Sequence, residues 1–370
     1  MTTPTLELVP VELLPVPIVD LSEGGPVRRA AEAGARARGL RDACVNWLPR
    51  PAAALLPALD SATRRWLKRS CSPYTEDVEA IAATLGFPGI WFLNGCYQWG
   101  CTSLACDQGG VPWLARTLDW PFPGLGRYIE VARMRGPAGD FDNIAWPGYV
   151  GTLTASAPGR FAASINQAPM RRRTRRPWLR PYDMILNARR TWRIRSIPPD
   201  HLLRQVFETC RNYAEAKHRL ERTPVARPAI YTLVGCRAGE RCVIEREEDG
   251  FETREDDTSA ANDWLHSSWP WEARVRTEVL LTRSYEEAAQ NSRTRRAQIA
   301  AWNGQFASGA FGWVVAPILN TQTRLAVELC PAQGVLRAVG YEPVAGHELP
   351  QPATQVCDLD GAAVEPVQVK

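Results

Sequence analysis

The residues able to do chemistry are concentrated in one stretch: Gly100-Cys101-Thr102-Ser103, then Ala115-Arg116-Thr117-Leu118-Asp119. Between them Asp107-Gln108-Gly109-Gly110 is a turn signal, so the two runs read as arms of a β-hairpin. Closing the turn between Asp107 and Gly110 sets Arg116 opposite Cys101, where opposed Cβ atoms lie about 4.5 to 5.5 Å apart. A guanidinium that near lowers a thiol's pKa and raises the share of thiolate, the reactive form. Asp119 falls just past the start of the opposing strand, within reach of the amino side of Cys101. No histidine is close in sequence to shuttle protons; only His201, His218, His266 and His347 occur. An α-amino group can serve if the chain is cut before Cys101, because a free amino terminus titrates near about pH 8 and can act as base for its own side chain. Gly100 gives the backbone freedom at such a cut.

The elements that must position these groups belong to a chain of 370 residues, 45% hydrophobic and 23% charged, which can bury a large core and is not wholly disordered. One large domain with appendages or two smaller domains both fit that length. No run approaches the roughly 18 apolar residues of a membrane span, and Met1–Pro10 lacks a charged start followed by an apolar block. A soluble, cytoplasmic chain is expected. The ten cysteines show no CxxC pair and no nearby histidine cluster, so no metal, cofactor or redox pair is expected and most should be reduced core residues. No serine sits in a GxSxG setting, which argues against a Ser-His-Asp hydrolase.

Net charge is +4, and Lys68, Lys217 and Lys370 are the only lysines among 44 basic residues. The run Arg171, Arg172, Arg173, Arg175, Arg176 and Arg180, continued by Arg189, Arg190, Arg193 and Arg195, has only Asp183 in opposition. Trp178, Tyr182 and Trp192 between them could stack bases or meet an anionic membrane. In an arginine-biased chain a solvated loop is the expected reading; no nucleic-acid partner is expected, and a membrane surface ranks behind the loop.

Val16–Leu21 reads as a short strand, Val27–Leu48 as a helix broken by Pro49, Pro51 and Pro57, and Tyr74–Leu85 as a helix with Val78, Ile81 and Leu85 on one face and Gly86 at its end. Beyond Ile90, four hairpins are expected: the one above, then Tyr149–Ala155 with Arg160–Asn166, Arg241–Glu247 with Phe251–Glu255, and Leu325–Leu329 with Val335–Tyr341. Helices are expected over His201–Arg219 and Tyr285–Trp302. The pattern is that of an α+β or layered αββα body.

Gly100-Cys101-Thr102-Ser103, with Arg-x-x-Asp downstream, resembles the start of the mature catalytic subunit in the acid ceramidase and N-acylethanolamine acid amidase family. These are N-terminal nucleophile (Ntn) hydrolases related to choloylglycine hydrolase and penicillin V acylase. The likeness continues upstream through Glu76–Ala83, Gly86-Phe87-Pro88 and Trp91-Phe92-Leu93-Asn94, and Val16–Ser22 is similar to the family's opening strand. It is strong over residues 74 to 120 and weaker elsewhere. It implies a four-layer αββα sandwich, with residues 1–100 as an amino-terminal pro-region, α-helical in the main, that stays associated with the catalytic domain 101–370 after self-cleavage.

By the same resemblance Cys101 is nucleophile and, through its freed amine, base, and Arg116 and Asp119 orient and tune it. Asn166 resembles a strand-end residue near the oxyanion site, with Gln167 where some relatives carry a carboxylate, and Asn262 resembles the asparagine whose amide stabilises the oxyanion. The last active-site arginine is Arg293 by the penicillin acylase pattern, or Arg274 or Arg276 by the ceramidase spacing. Plainer roles compete for several of these: Cys101 as a core cysteine, Arg116 and Asp119 as a strand-end ion pair, Asn166 in a turn, Asn262 capping the segment after it. The implied activity is hydrolysis of a linear N-acyl amide, a small molecule with an apolar acyl arm, through a thioester. Tyr97, Trp99, Trp113 and Trp120 are candidates to line the acyl pocket. Two rivals are an acyltransferase of the isopenicillin N acyltransferase type and a catalytically silent binding protein on the same scaffold. Neither acyl length, leaving amine nor oligomeric state has a sequence signature.

Overall fold

Two β-sheets face each other in the computed structural model, which describes residues 13–47, 53–97, 99–173, 176–266, 269–273 and 285–359. In chain order the strands are β1 (Ile18–Asp20), β2 (Gly100–Gln108), β3 (Val111–Asp119), β4 (Glu130–Gly136), β5 (Gly139–Ala145) and β6 (Thr154–Ala157). They continue with β7 (Phe161–Gln167), β8 (Met170–Arg171), β9 (Ala229–Val234), β10 (Arg241–Arg246), β11 (Phe251–Arg254) and β12 (Ser259–Ala260). Last come β13 (Trp271–Glu272), β14 (Thr323–Cys330), β15 (Val335–Glu342), β16 (Gln351–Pro352) and β17 (Cys357–Leu359). The described α-helices are α1 (Gly25–Glu32), α2 (Gly34–Asn46), α3 (Leu56–Leu67), α4 (Thr75–Leu85), α5 (Ile90–Leu93), α6 (Arg180–Arg193), α7 (Pro199–Thr209), α8 (Tyr213–Arg222) and α9 (Tyr285–Ala300).

The larger sheet runs β1-β4-β5-β6-β7-β9-β10-β11 and the smaller β12-β2-β3-β14-β15-β16, with β17 also on β15. Strands β2 and β3 pack on β7 and β9 across the interface between the sheets. Helix α7 lies against β4, β5 and β7, α8 against β9, β10 and β11, and α9 against β2 on the far side. The layers are therefore helix, sheet, sheet, helix: an α+β body of αββα type.

The site depends most on the β2–β3 hairpin. Its turn is Gly109-Gly110, with φ of 61° and 80°, the left-handed pair that a two-residue hairpin turn matched to strand twist requires. Gln108 consequently pairs with Val111, Ser103 with Arg116, Cys101 with Leu118 and Gly100 with Asp119. The register expected from a turn closed at Asp107 and Gly110 is off by two residues. A slip of two keeps every side chain on its face, so Arg116 stays on the side of Cys101.

Other expectations change for local reasons. Val27–Leu48 divides at Ala33 into α1 and α2, and His201–Arg219 divides at residues 210–212 into α7 and α8, with Asn212 Oδ1 capping the second through the Glu215 N–H. Pro57 starts α3 rather than ending a helix, as its fixed φ and missing N–H suit a first turn. The arginine run is solvated only in part: Arg173, Arg176, Arg189, Arg190, Arg193 and Arg195 are exposed, whereas Arg171, Arg172 and Arg180 are not. Residues 180–193 form α6, and buried Arg172 pairs with Asp183 and Glu272. Arg171 and Arg190 both meet Glu248, so partners distant in sequence supply the missing acids.

The described residues of the first hundred share a core with the rest of the chain. Leu67 and Ile81 belong to one apolar cluster with Val131 and Phe161, and β1 extends the larger sheet parallel to β4. Helix α7 grips the segment leading to Cys101. Asp200 accepts from the hydroxyls of Tyr97 and Tyr149, His201 Nδ1 lies 2.6 Å from Ser72 Oγ, and Tyr74 donates to Glu208 at 2.5 Å.

Candidate active site

Alternation along β2 sorts its side chains onto two faces. Cys101 and Ser103 point between the sheets, with Cys101 Sγ 3.8 Å from the Ile165 carbonyl of β7 and Ser103 Oγ 2.8 Å from Thr232 Oγ1 of β9. Thr102 and Leu104 point the opposite way, toward α9. Arg116 lies diagonally across the pair from Cys101, where Cβ atoms stand about 7 to 8 Å apart and only a long side chain bridges. Its Nη2 lies 3.1 Å from the sulfur and 3.2 Å from the Ile165 carbonyl, while Nη1 donates to Thr154 Oγ1.

The backbone of Cys101 is held as closely as its sulfur. Strand β12 pairs with β2 and delivers Asn262, whose Oδ1 accepts the Cys101 N–H at 2.9 Å. Arg295 of α9 donates from Nη1 to the Cys101 carbonyl at 2.6 Å and to Thr102 Oγ1 at 2.7 Å, and from Nη2 to Asn262 Oδ1 at 3.0 Å. Asp119, opposite Gly100, lies 3.7 Å from Arg295 Nη1 and accepts from Thr323 Oγ1 at 2.9 Å. Cys101, Arg116, Asp119, Asn262 and Arg295 are all buried.

Burial pushes the Cys101 thiol above its ordinary range; the charge and hydrogen bond of Arg116 pull it back down but do not win. In the intact chain the sulfur is thus a thiol at neutral pH. Replacing Arg116 by methionine removes the main opposing influence, so the alkylation profile of Cys101 should move to higher pH by about one to three units. An unchanged profile in a rate-against-pH series would disprove the coupling.

Asn166 donates both amide hydrogens, to Ser103 Oγ at 3.1 Å and to the Ala261 carbonyl at 3.2 Å, and its buried Oδ1 has no partner among the described residues. It offers a substrate an acceptor. Asn262 turns its oxygen to Cys101 and gives Nδ2–H to the Gln167 carbonyl at 2.8 Å, which leaves one amide hydrogen.

Curated relatives match about half of the chain. The acid ceramidase of Heterocephalus glaber is 34% identical over 217 residues and that of Balaenoptera acutorostrata scammoni 27% over 217 residues, each match covering 53% of both chains. The N-acylethanolamine-hydrolyzing acid amidase of Cavia porcellus is 25% identical over 185 residues, 48% of this chain and 49% of its own. About half of the chain is thus similar to acid ceramidases and to an N-acylethanolamine-hydrolyzing acid amidase. The chain spans about half the length of the curated relatives it matches. No protein-family model matches it. Among solved structures, a Caenorhabditis elegans ortholog of N-acylethanolamine-hydrolyzing acid amidase superposes with a TM-score of 0.46 at 15% identity, covering 63% of this chain and 93% of that one.

Set beside that family's expected residues, the structure gathers Cys101, Arg116, Asp119, Asn166 and Asn262 and leaves Arg293 out. Arg293 is exposed on α9 and hydrogen-bonds only Gln290 among the described residues. Arg295, two residues on and about 200° around the helix, turns inward instead. The signal was present: buried Ala288, Ser292, Arg295 and Ile299 recur at spacings of four, three and four, a single helix face. Arg274 and Arg276 lie outside the described residues. Of the four aromatic candidates, Tyr97 and Trp99 line a cavity of about 440 Å³ beside Ile165 and Asn166. Trp120 stacks on Trp99, and Trp113, on the opposite face of the hairpin, packs on Phe306.

Proposed function

We propose that this protein is a self-processing cysteine amidohydrolase that cleaves a linear N-acyl amide. The observation carrying this reading is that the sulfur and the backbone nitrogen of one residue, Cys101, are each held by a separate buried polar group, Arg116 and Asn262. A structural cysteine needs neither. In the intact chain that nitrogen is an amide. Attack of the Cys101 sulfur on the Gly100 carbonyl carbon breaks the Gly100–Cys101 bond and leaves a thioester; water then releases the Gly100 carboxylate and restores the thiol, now beside a free α-amine.

In turnover the amine takes the thiol proton, and the thiolate attacks the carbonyl carbon of the substrate. The C–N bond breaks, the ammonium gives its proton to the departing nitrogen, and a thioester remains. Water activated by the same amine adds to the thioester, releasing the carboxylic acid and the thiol. Asp119 and Asn262 orient the amine. The remaining Asn262 N–H supports the oxyanion, a contribution worth about 2.7 to 4 kcal/mol for one preorganised donor. Residues 1–100 act as the pro-region and stay attached through the shared core.

Intact mass and amino-terminal sequencing test the first half, a panel of N-acyl amides with acid quenching to trap an acyl adduct on Cys101 the second. A mature fragment beginning at Cys101 and a substrate-dependent mass increase on it are expected. A chain that stays uncut and never acquires an acyl group would leave the silent scaffold as the better account.

A further inference from the structure

The cavity beside Asn166 has apolar walls, Trp66, Trp99, Met184 and Trp192 among them, and four arginines, Arg171, Arg180, Arg190 and Arg227, against two carboxylates, Glu248 and Glu272. Three of the arginines are spoken for. Arg171 and Arg190 approach Glu248 at 2.7 and 2.8 Å, and Arg180 approaches Glu272 at 2.6 Å. Arg227 has neither a hydrogen bond nor an ion pair among the described residues; its guanidinium lies over the Tyr97 ring, 4.5 Å from the centroid. The Tyr97 hydroxyl is directed to Asp200, so it offers the cavity no counter-charge.

We propose that Arg227 is a specificity-determining residue that binds a carboxylate or phosphate at the end of the apolar substrate arm lying in this cavity. An arginine keeps its charge at any physiological pH, and this half-buried one feels the Asp200 and Glu248 carboxylates only at a distance, with no direct hydrogen bond to either among the described residues. Burial does weaken this one, moving its pKa down from the ordinary arginine value. An anion entering the cavity would give it a direct partner through paired, charge-assisted hydrogen bonds. The placement suits a far end. Arg227 precedes β9, where Ala229 pairs with Gln167 and Tyr231 with Ile165, the residue whose carbonyl faces Cys101 Sγ. Four residues of chain, at most about 13 Å of extended backbone, separate Arg227 from Tyr231.

This inference rests on the amidase reading for its substrate, and its test separates the two. Wild-type, Arg227→Gln and Arg227→Lys proteins are assayed with an ω-carboxyacyl anilide, its methyl ester and the matching ω-phosphate. The acid-to-ester ratio of kcat/KM should be about tenfold to a hundredfold in the wild type, through KM, and fall to near one in Arg227→Gln, with part of it restored in Arg227→Lys. The better of the carboxylate and phosphate arms identifies the natural anion. The same three ligands are titrated into Cys101→Ala protein by tryptophan fluorescence, which needs no turnover. Tighter binding of the anions that disappears when Arg227→Gln is added supports the subsite even should hydrolysis fail. A wild-type ratio near one, or a preference that persists in Arg227→Gln, overturns it.

Discussion

Cys101→Ala should be recovered as one uncut chain of 370 residues and should hydrolyse amides at least about 10⁴-fold more slowly than the processed protein. Both losses follow from a single atom, since on the proposed mechanism the sulfur is the attacking group in the cut and in turnover. Alanine leaves the strand intact, because Cys101 contributes only its backbone to the pairing with Leu118. Intact mass reads the first loss and amide hydrolysis the second. Normal scission in this variant would remove the sulfur from the self-cleavage step, whatever its part in turnover. Cys101→Ser, which keeps a weaker nucleophile at the same position, should cut slowly and incompletely.

Arg295→Leu should be nearly as severe, for a different reason. One guanidinium serves the Cys101 carbonyl, Thr102 Oγ1 and Asn262 Oδ1, and lies near the Asp119 carboxylate in a site closed to water. Removing one partner of a buried charge pair strands the other at a cost of about 3 to 5 kcal/mol. The denaturant midpoint should therefore fall, and scission should slow because Asn262 loses the donor that fixes its oxygen. Arg295→Lys restores little, since an ammonium cannot reproduce the planar fork. Arg293→Ala, on the exposed face of the same helix, should alter neither stability nor scission; an equal effect at both positions would contradict the facing of α9.

The reading of sequence succeeded where a local rule dominates. Gly86, at φ 65° with its N–H on the Ala82 carbonyl, ends α4 as a glycine after an amphipathic run should. Four hairpins form at the expected turns, because each carries its own turn residues, but the first arm of the second is Thr154–Ala157 rather than Tyr149–Ala155, with residues 149–153 outside any strand. Failures came where two local rules compete. Asp107 and Gly109-Gly110 both favour turns, and the glycine pair won because only it supplies two consecutive left-handed residues. Arg295 went unnoticed for a physical reason. Arginine belongs on solvated helix faces by ordinary expectation, and only the inward recurrence of Ala288, Ser292 and Ile299 marks this one as buried. The partners of the arginine run were invisible for another: Glu248, which meets Arg171, and Glu272, which meets Arg172, each lie more than seventy residues away in sequence and are brought there only by the fold, Glu272 through the pairing of β13 with β8.

The strand β1 and the grip of α7 on residues 72 to 97 are made by segments on opposite sides of the proposed cut. While the chain is continuous, the two halves find each other as parts of one molecule. After scission the same contacts persist, yet a molecule that unfolds releases two separate polypeptides whose reunion depends on their concentration. Maturation on this account makes assembly a one-way event. The durability of the mature enzyme is then set by how slowly it comes apart, and denaturation that is reversible for the precursor becomes terminal for the product.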